Sequence, residues 1–290
     1  VCRCRSEQKH LCHTIPSGKE SGRRTLPVGK FYKLESLMLK KRLIPILLLK
    51  NGRCVKGVNF KGFRDTGYPL TAARVYDSQS VDELVFLDIT ASKENKNILF
   101  DYVSRTAEEC FMPLTVGGGV RTLDDIRNLL MAGADKVTIN TAAVENPEIV
   151  QESSCKFGRA NIVVSIDVKR IGDNKYEVYT HSGHQSTGIN ALEWARTMAS
   201  YGAGEILLTS IDREGTMNGY DLDLIRQVTD MVNIPVIANG GVGTLKHLVE
   251  GIDIGHASAV AAASIFHFTD QSPIKAKTYM KVAGIDLRGI

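Results

Sequence analysis

"PLTVGGGVRTL", Pro113–Leu123, returns 122 residues later as "PVIANGGVGTL", Pro235–Leu245. At the same offset "ELVFLDIT" (Glu83–Thr90) meets "EILLTSID" (Glu205–Asp212). A third pair, "LIPILLLKNG" from Leu43 and "NIVVSIDVKR" from Asn161, belongs to the same repeat with an offset of 119, as a change in loop length allows. Self-similarity at about half the length of the chain predicts a fold made of two like halves.

Working outward, eight β-rich runs appear between Arg42 and Ser264: "RLIPILLL", "ELVFLDI", "PLTVGGG", "KVTIN", "IVVSIDV", "EILLTSI", "PVIANGG" and "SAVAAAS". Amphipathic segments such as "TLDDIRNLLMAGA" and "ALEWARTMASYGA" separate several of them. This alternation predicts an α/β fold, a single (β/α)8 TIM barrel built from two repeated half-barrels. A doubly wound open sheet would want a glycine-rich dinucleotide turn after its first strand, and "LKNGRCVKG" is not one.

Of the 290 residues 43% are hydrophobic and 23% charged, an ordinary globular balance. No apolar run approaches the ~20 residues of a membrane span. The six cysteines are scattered, which fits a reducing cytoplasm better than a disulfide framework. Residues 1–37 hold eight Lys/Arg against three Glu, so this leader accounts for the net charge of +4 and leaves the remainder near −1. That remainder gives no reason to expect a nucleic-acid surface. The leader is polar and punctuated by Gly, Ser and Pro. It reads as a disordered or non-native extension, residues 1–37, ahead of a natural start at Met38, with the barrel domain over 38–290. Its Cys2, Cys4, Cys12 and His13 fit no familiar zinc spacing, so no metal site is expected.

Barrel chemistry sits at the C-terminal ends of the strands, with phosphate on glycine-rich turns. Two such turns exist, Gly117-Gly118-Gly119 and Gly240-Gly241, one per half. Asn140 and Thr141 after the fourth run, and Ala263 and Ser264 after the eighth, are small or hydroxyl-bearing and suit the same role. Two phosphate sites would hold an elongated bisphosphate with its reacting part between them. Candidate acid/base groups are Asp88, Asp167, Asp212, Glu214 and Asp221, with Lys56 in the first loop. Asp167 stands out because it ends a run of buried aliphatics, where desolvation tunes a carboxylate for proton transfer.

At these residues the chain closely resembles the cyclase subunit of imidazole glycerol phosphate synthase, the HisF family of histidine biosynthesis. The match runs from Met38 almost to the C-terminus and includes "GRCVKGVNF", "DELVFLDITAS", "VGGGV", "GADKVTINTAAVENP", "IDVKR", "GAGEILLTSIDREGT" and "ASIFHF". The pathway's sister isomerase is similar around "VGGG" but not at "LDITAS" or "INTAAVENP". The resemblance implies an ammonia-using cyclase/lyase in heterodimer with a glutaminase (HisH-like) subunit docked at the barrel bottom. Ammonia would cross the interior and attack a phosphoribulosyl-formimino-aminoimidazole-carboxamide ribonucleotide. The products would be imidazole glycerol phosphate and the aminoimidazole ribonucleotide, with no metal or organic cofactor.

The family's charged gate falls on Arg42, Glu83, Lys136 and Glu205, and substrate contacts fall on Asp88, Ser182, Thr209 and Asp212. Of its two catalytic aspartates, one is Asp167, with Lys56 nearby. The other falls on Leu48, and leucine transfers no proton. Glu214 and Asn239 are lesser departures. Losing one of two proton-transfer groups costs roughly a hundredfold to ten-thousandfold. The same resemblance fits a paralogue serving as ammonia conduit or scaffold for a surface-polysaccharide sugar amidotransferase.

Overall fold

The computed structural model describes residues 40–90 and 93–288, with the backbone alone for 93–98. The expectations for the leader, its cysteines included, lie outside the described residues. Among the described residues twelve strands form: β1 (Arg42–Lys50), β2 (Arg53–Val58), β3 (Lys61–Gly67), β4 (Leu84–Asp88), β5 (Leu114–Gly117), β6 (Lys136–Ile139), β7 (Ile162–Gly172), β8 (Lys175–Thr180), β9 (Gln185–Asn190), β10 (Glu205–Ser210), β11 (Val236–Asn239) and β12 (Ala259–Ala262). Eight of them pair in parallel in the order β1-β4-β5-β6-β7-β10-β11-β12, and β12 returns to β1 to close the ring. These are the eight predicted runs. Closure leaves no edge strand in the barrel.

Side-chain alternation explains why the strands read as continuous apolar runs. Along β1, Leu43, Leu47 and Leu49 join the layer beneath the helices, while Ile44, Ile46 and Leu48 point into the lumen. Both faces are buried, so both must be apolar. Pro45 lacks a ladder donor and stands where register with β12 ends and register with β4 begins.

The other four strands make two hairpins above the barrel, one per half. β2 folds back on β1 through Asn51-Gly52, whose φ values of 49° and 75° suit the I′ hairpin turn that Asn-Gly favours. β8 folds back on β7 at the equivalent place in the second half, and β9 pairs with β8. Neither hairpin is among the eight runs that the sequence predicts.

The helices are α1 (Pro69–Ser78), α2 (Lys93–Glu109), α3 (Leu123–Met131), α4 (Thr141–Glu145), α5 (Glu148–Phe157), α6 (Ala191–Ser200), α7 (Leu222–Met231), α8 (Leu245–Asp253), α9 (Ser264–Phe268) and α10 (Pro273–Val282). The repeat extends to their caps. Thr122 opens α3 in a capping box with Asp125, and Thr244 opens α8, where His247 Nδ1 accepts from the backbone N–H of Thr244 at 3.4 Å. At the base, Lys277 of α10 donates to Asp82 Oδ1 at 2.8 Å, and Asp82 Oδ2 accepts from the Leu43 N–H at 2.8 Å. This buried pair pins the last helix to the first strand. Among the described residues no helix is long and apolar enough to cross a membrane.

Candidate functional site

Two polar constellations lie at opposite ends of the lumen. At the N-terminal end, Arg42, Lys136 and Glu205 are the first residues of β1, β6 and β10, and Glu83 immediately precedes β4. Each cation reaches both acids. Arg42 lies 2.8 Å from Glu83 and 3.1 Å from Glu205, and Lys136 lies 2.9 Å and 3.2 Å from the same two. Thr115 Oγ1 also donates to Glu83 Oε1 at 2.5 Å. Full pairing offsets the desolvation of four charges at the neck of the barrel. Outside the ring, a mouth of about 400 Å³ adds Lys40, Pro235, Ser258 and Arg288.

Above the ring the lumen is apolar. Ile44, Val85, Val163, Leu207, Ile237, Ala259 and Ala261 form one buried cluster that continues upward to Leu48. It opens at the C-terminal end into a cavity of about 410 Å³. Asp167 of β7 lies on its floor and accepts from Asn140 Nδ2 at 2.9 Å and from the Thr209 hydroxyl. Burial pushes the Asp167 carboxyl up to about 7, against the opposing pull of these two hydrogen bonds. A carboxyl that titrates near neutrality is suited to give and take protons. Leu48 faces it from β1, four strands away in a ring of eight, and is 8% exposed beside Ile46, Leu87 and Phe63. The wall opposite Asp167 is therefore hydrocarbon.

Lys56 of β2 is buried in an ion pair with Glu214, from the segment after β10. Burial draws its ammonium down to about 8. His267 of α9 is pushed down to about 4 by burial and by the charge of Lys56. Asn59 donates its backbone N–H to the Glu214 carbonyl at 2.8 Å and its amide to the Ile211 carbonyl at 2.7 Å. The first hairpin is thus latched across the top of the second half. Its tip, Phe60, packs on Gly183 in the turn of the second hairpin.

That latch decides which candidates meet. Gly118, Gly119, Asn140, Thr141, Asp88, Ser182, Thr209, Lys56, Asp167 and Leu48 all line the upper cavity, as does Ala263. Gly240, Gly241, Ser264 and Asp212 do not line it. Gly219 donates its N–H to the Gly241 carbonyl at 2.7 Å, so the segment after β10 covers the second glycine turn. Asp212 turns outward, where its carboxylate accepts from the Arg170 N–H at 2.8 Å. The glycines also have a packing reason. Gly118 and Gly241 sit at φ of 104° and 108°, and a Cβ on either would collide with the backbone of Asp88 or Gly219.

Sequence reasoning missed Thr138 and Ser165, although each lies two residues before a chosen one and so shares its face. Phe60, Phe63, Glu145 and His181 also line the cavity, brought there by the hairpins and α4, and carry no such signal. Arg121, just past the first glycine turn, was likewise passed over. Among the described residues no group of three His, Cys, Asp or Glu side chains could hold a metal.

A (β/α)8 barrel with one polar, half-enclosed cavity at its C-terminal end and a paired charge ring at the other defines a class of barrel enzyme. The chain belongs to the histidine biosynthesis protein family, whose model matches residues 42–272. It is a histidine-biosynthesis-type barrel enzyme at the level of that family, and its features are consistent with a HisF-like member.

Proposed function

We propose that this barrel is the acceptor subunit of a glutamine amidotransferase of the cyclase (HisF) type. Ammonia released by a glutaminase docked on the N-terminal face enters through the ring of Arg42, Glu83, Lys136 and Glu205. It passes the apolar lumen as the neutral molecule, for which such a lining is least costly. In the upper cavity it meets the phosphoribulosyl-formimino-aminoimidazole-carboxamide ribonucleotide, with one phosphate against Gly118, Gly119 and Thr141. Asp167 exchanges the protons as imidazole glycerol phosphate and the aminoimidazole ribonucleotide form. The observation that carries this reading is the lumen itself, with a charge ring at one end, a proton-exchanging carboxyl at the other and an uncharged apolar stretch between. Phe111, Val282 and Met131 support docking. They lie near the N-terminal ends of strands and are 93%, 85% and 79% exposed.

One observation favours a second reading. Leu48 gives the cavity an apolar wall where the resemblance places the other proton-transfer group, as befits a conduit that passes ammonia to a third protein such as a surface-sugar amidotransferase. Co-purification with the glutaminase, followed by turnover of the ribonucleotide with glutamine or with ammonium chloride, separates the readings. Turnover supports the cyclase, docking without turnover supports the conduit, and no complex at micromolar concentration removes both.

A further inference from the structure

One wall of the upper cavity is rich in hydrogen-bond acceptors and has no cation of its own. β6, β7 and β10 contribute Thr138, Ser165, Asp167 and Thr209, all lining the cavity. Asn140 and Thr209 donate to Asp167, but no cationic side chain pairs with it among the described residues. Thr138 is 3% exposed, and its hydroxyl has no hydrogen-bond partner among the described residues; the Asn140 Oδ1 lacks one too. A native interior rarely leaves such groups unmet without reason. The lysine nearest in role, Lys56, is taken up by Glu214. The other charged or titratable groups lining the cavity are Asp88, Arg121, Glu145 and His181.

We propose that this floor binds an ammonium ion against the Asp167 carboxylate, with the Ser165 and Thr138 hydroxyls as further acceptors. Ammonium carries four donors and one charge, which answers a half-buried carboxylate and the buried hydroxyls beside it. A water-sized ion occupies ~30 Å³, so most of the 410 Å³ cavity stays free for a second ligand. When neutral ammonia arrives, the carboxyl proton of Asp167 moves to its nitrogen. An O–H bond breaks, an N–H bond forms, and the ion pair remains until the carboxylate takes the proton back. The floor then acts as a holding site that keeps ammonia from escaping before its acceptor is in place. This rests on the ammonia reading for the source of the ion, whereas binding itself is measured on the isolated chain with no glutaminase present.

The probe is ¹⁵N-ammonium chloride, followed by the line width of its nitrogen signal with the full chain at pH 8. Broadening is expected with wild type, with affinity about tenfold weaker in Asp167→Asn and reduced several-fold in Thr138→Val. Tetramethylammonium, which has no N–H, should not compete. Equal broadening in wild type and Asp167→Asn overturns the site. Competition by potassium as effective as by ammonium overturns the assignment to ammonium in favour of a general monovalent-cation site. If a variant fails to fold, the Asp167 carboxyl carbon in wild type decides. Its titration must shift to lower pH in ammonium relative to tetramethylammonium, and no shift overturns the proposal. Docking lost with ammonium binding retained would remove the partner reading alone, and the reverse would remove this one.

Discussion

Asp167→Asn should make the protein more stable at alkaline pH while destroying its proton chemistry. An aspartate that titrates near 3.8 when free titrates at about 7 here because burial disfavours its charge. The folded chain therefore binds this proton more tightly than the unfolded chain. Wild-type stability falls as pH rises from about 4 through about 7. A shift of about 3 units at ~1.36 kcal/mol each sets an upper bound near 4 kcal/mol over the full titration, of which roughly 2–3 kcal/mol falls between pH 5 and pH 8. Asparagine has nearly the same shape, keeps an oxygen for the Asn140 amide to donate to, and carries no charge. Groups common to both proteins cancel in the difference. For a chain of this size ~2–3 kcal/mol corresponds to roughly 4–10 °C in melting temperature. Melting both proteins at pH 5 and pH 8, in buffer free of ammonium, is the assay. The variant should gain on wild type by that margin at the higher pH. A difference between the two proteins that is the same at both pH values would refute the reasoning, because Asp167 would then titrate no differently in the folded state.

Leu48→Asp places a carboxyl across the cavity from Asp167 and should raise turnover of the ribonucleotide by ~100-fold, the low end for a positioned acid or base; Asp167→Asn in that background should abolish the gain, and an unchanged rate would speak against the pocket as a decayed cyclase site. Glu83→Gln leaves Arg42 and Lys136 sharing one acid and should cost about 3 kcal/mol in urea unfolding, as a broken buried pair does. In complex with a glutaminase the same variant should depress glutamine-driven turnover while ammonia-driven turnover holds, and equal effects on both would argue against the ring as an inlet. Lys277→Met strands Asp82 at the base and should cost roughly 3–5 kcal/mol, read by the same unfolding curve, with a loss under 1 kcal/mol showing that the pin matters little.

How far the sequence could be read followed from the range of the forces involved. The eight barrel strands were legible because both their faces are buried, so β1 and β7 announce themselves as largely aliphatic runs. The ring was legible through the resemblance, and the repeat made mates of Glu83 and Glu205. The hairpins were not read, since β3 and β9 are mostly exposed and carry no apolar signature. The Asn51-Gly52 turn was the one local mark. The cover over the second glycine turn was not legible either. Gly240 and Gly241 are as glycine-rich as their mates, but only tertiary packing reveals that the segment running to Gly219 lies over them. The direction of Asp212 was hidden for a related reason, because its position in a strand-end motif says nothing of which way the turn directs its carboxylate.

The ring of four charges also bears on how such a chain can change over generations. Every member serves two neighbours, so substitution of any one disturbs both, and a neutral route through sequence space needs paired changes. Leu48 has no such obligations. It is a single side chain in a hydrocarbon wall, and replacement there alters one contact surface without stranding a charge. A barrel of this design can therefore lose or exchange its chemistry at the top one residue at a time while its lower end stays fixed. The route by which material enters is more strongly constrained than what is done with it on arrival.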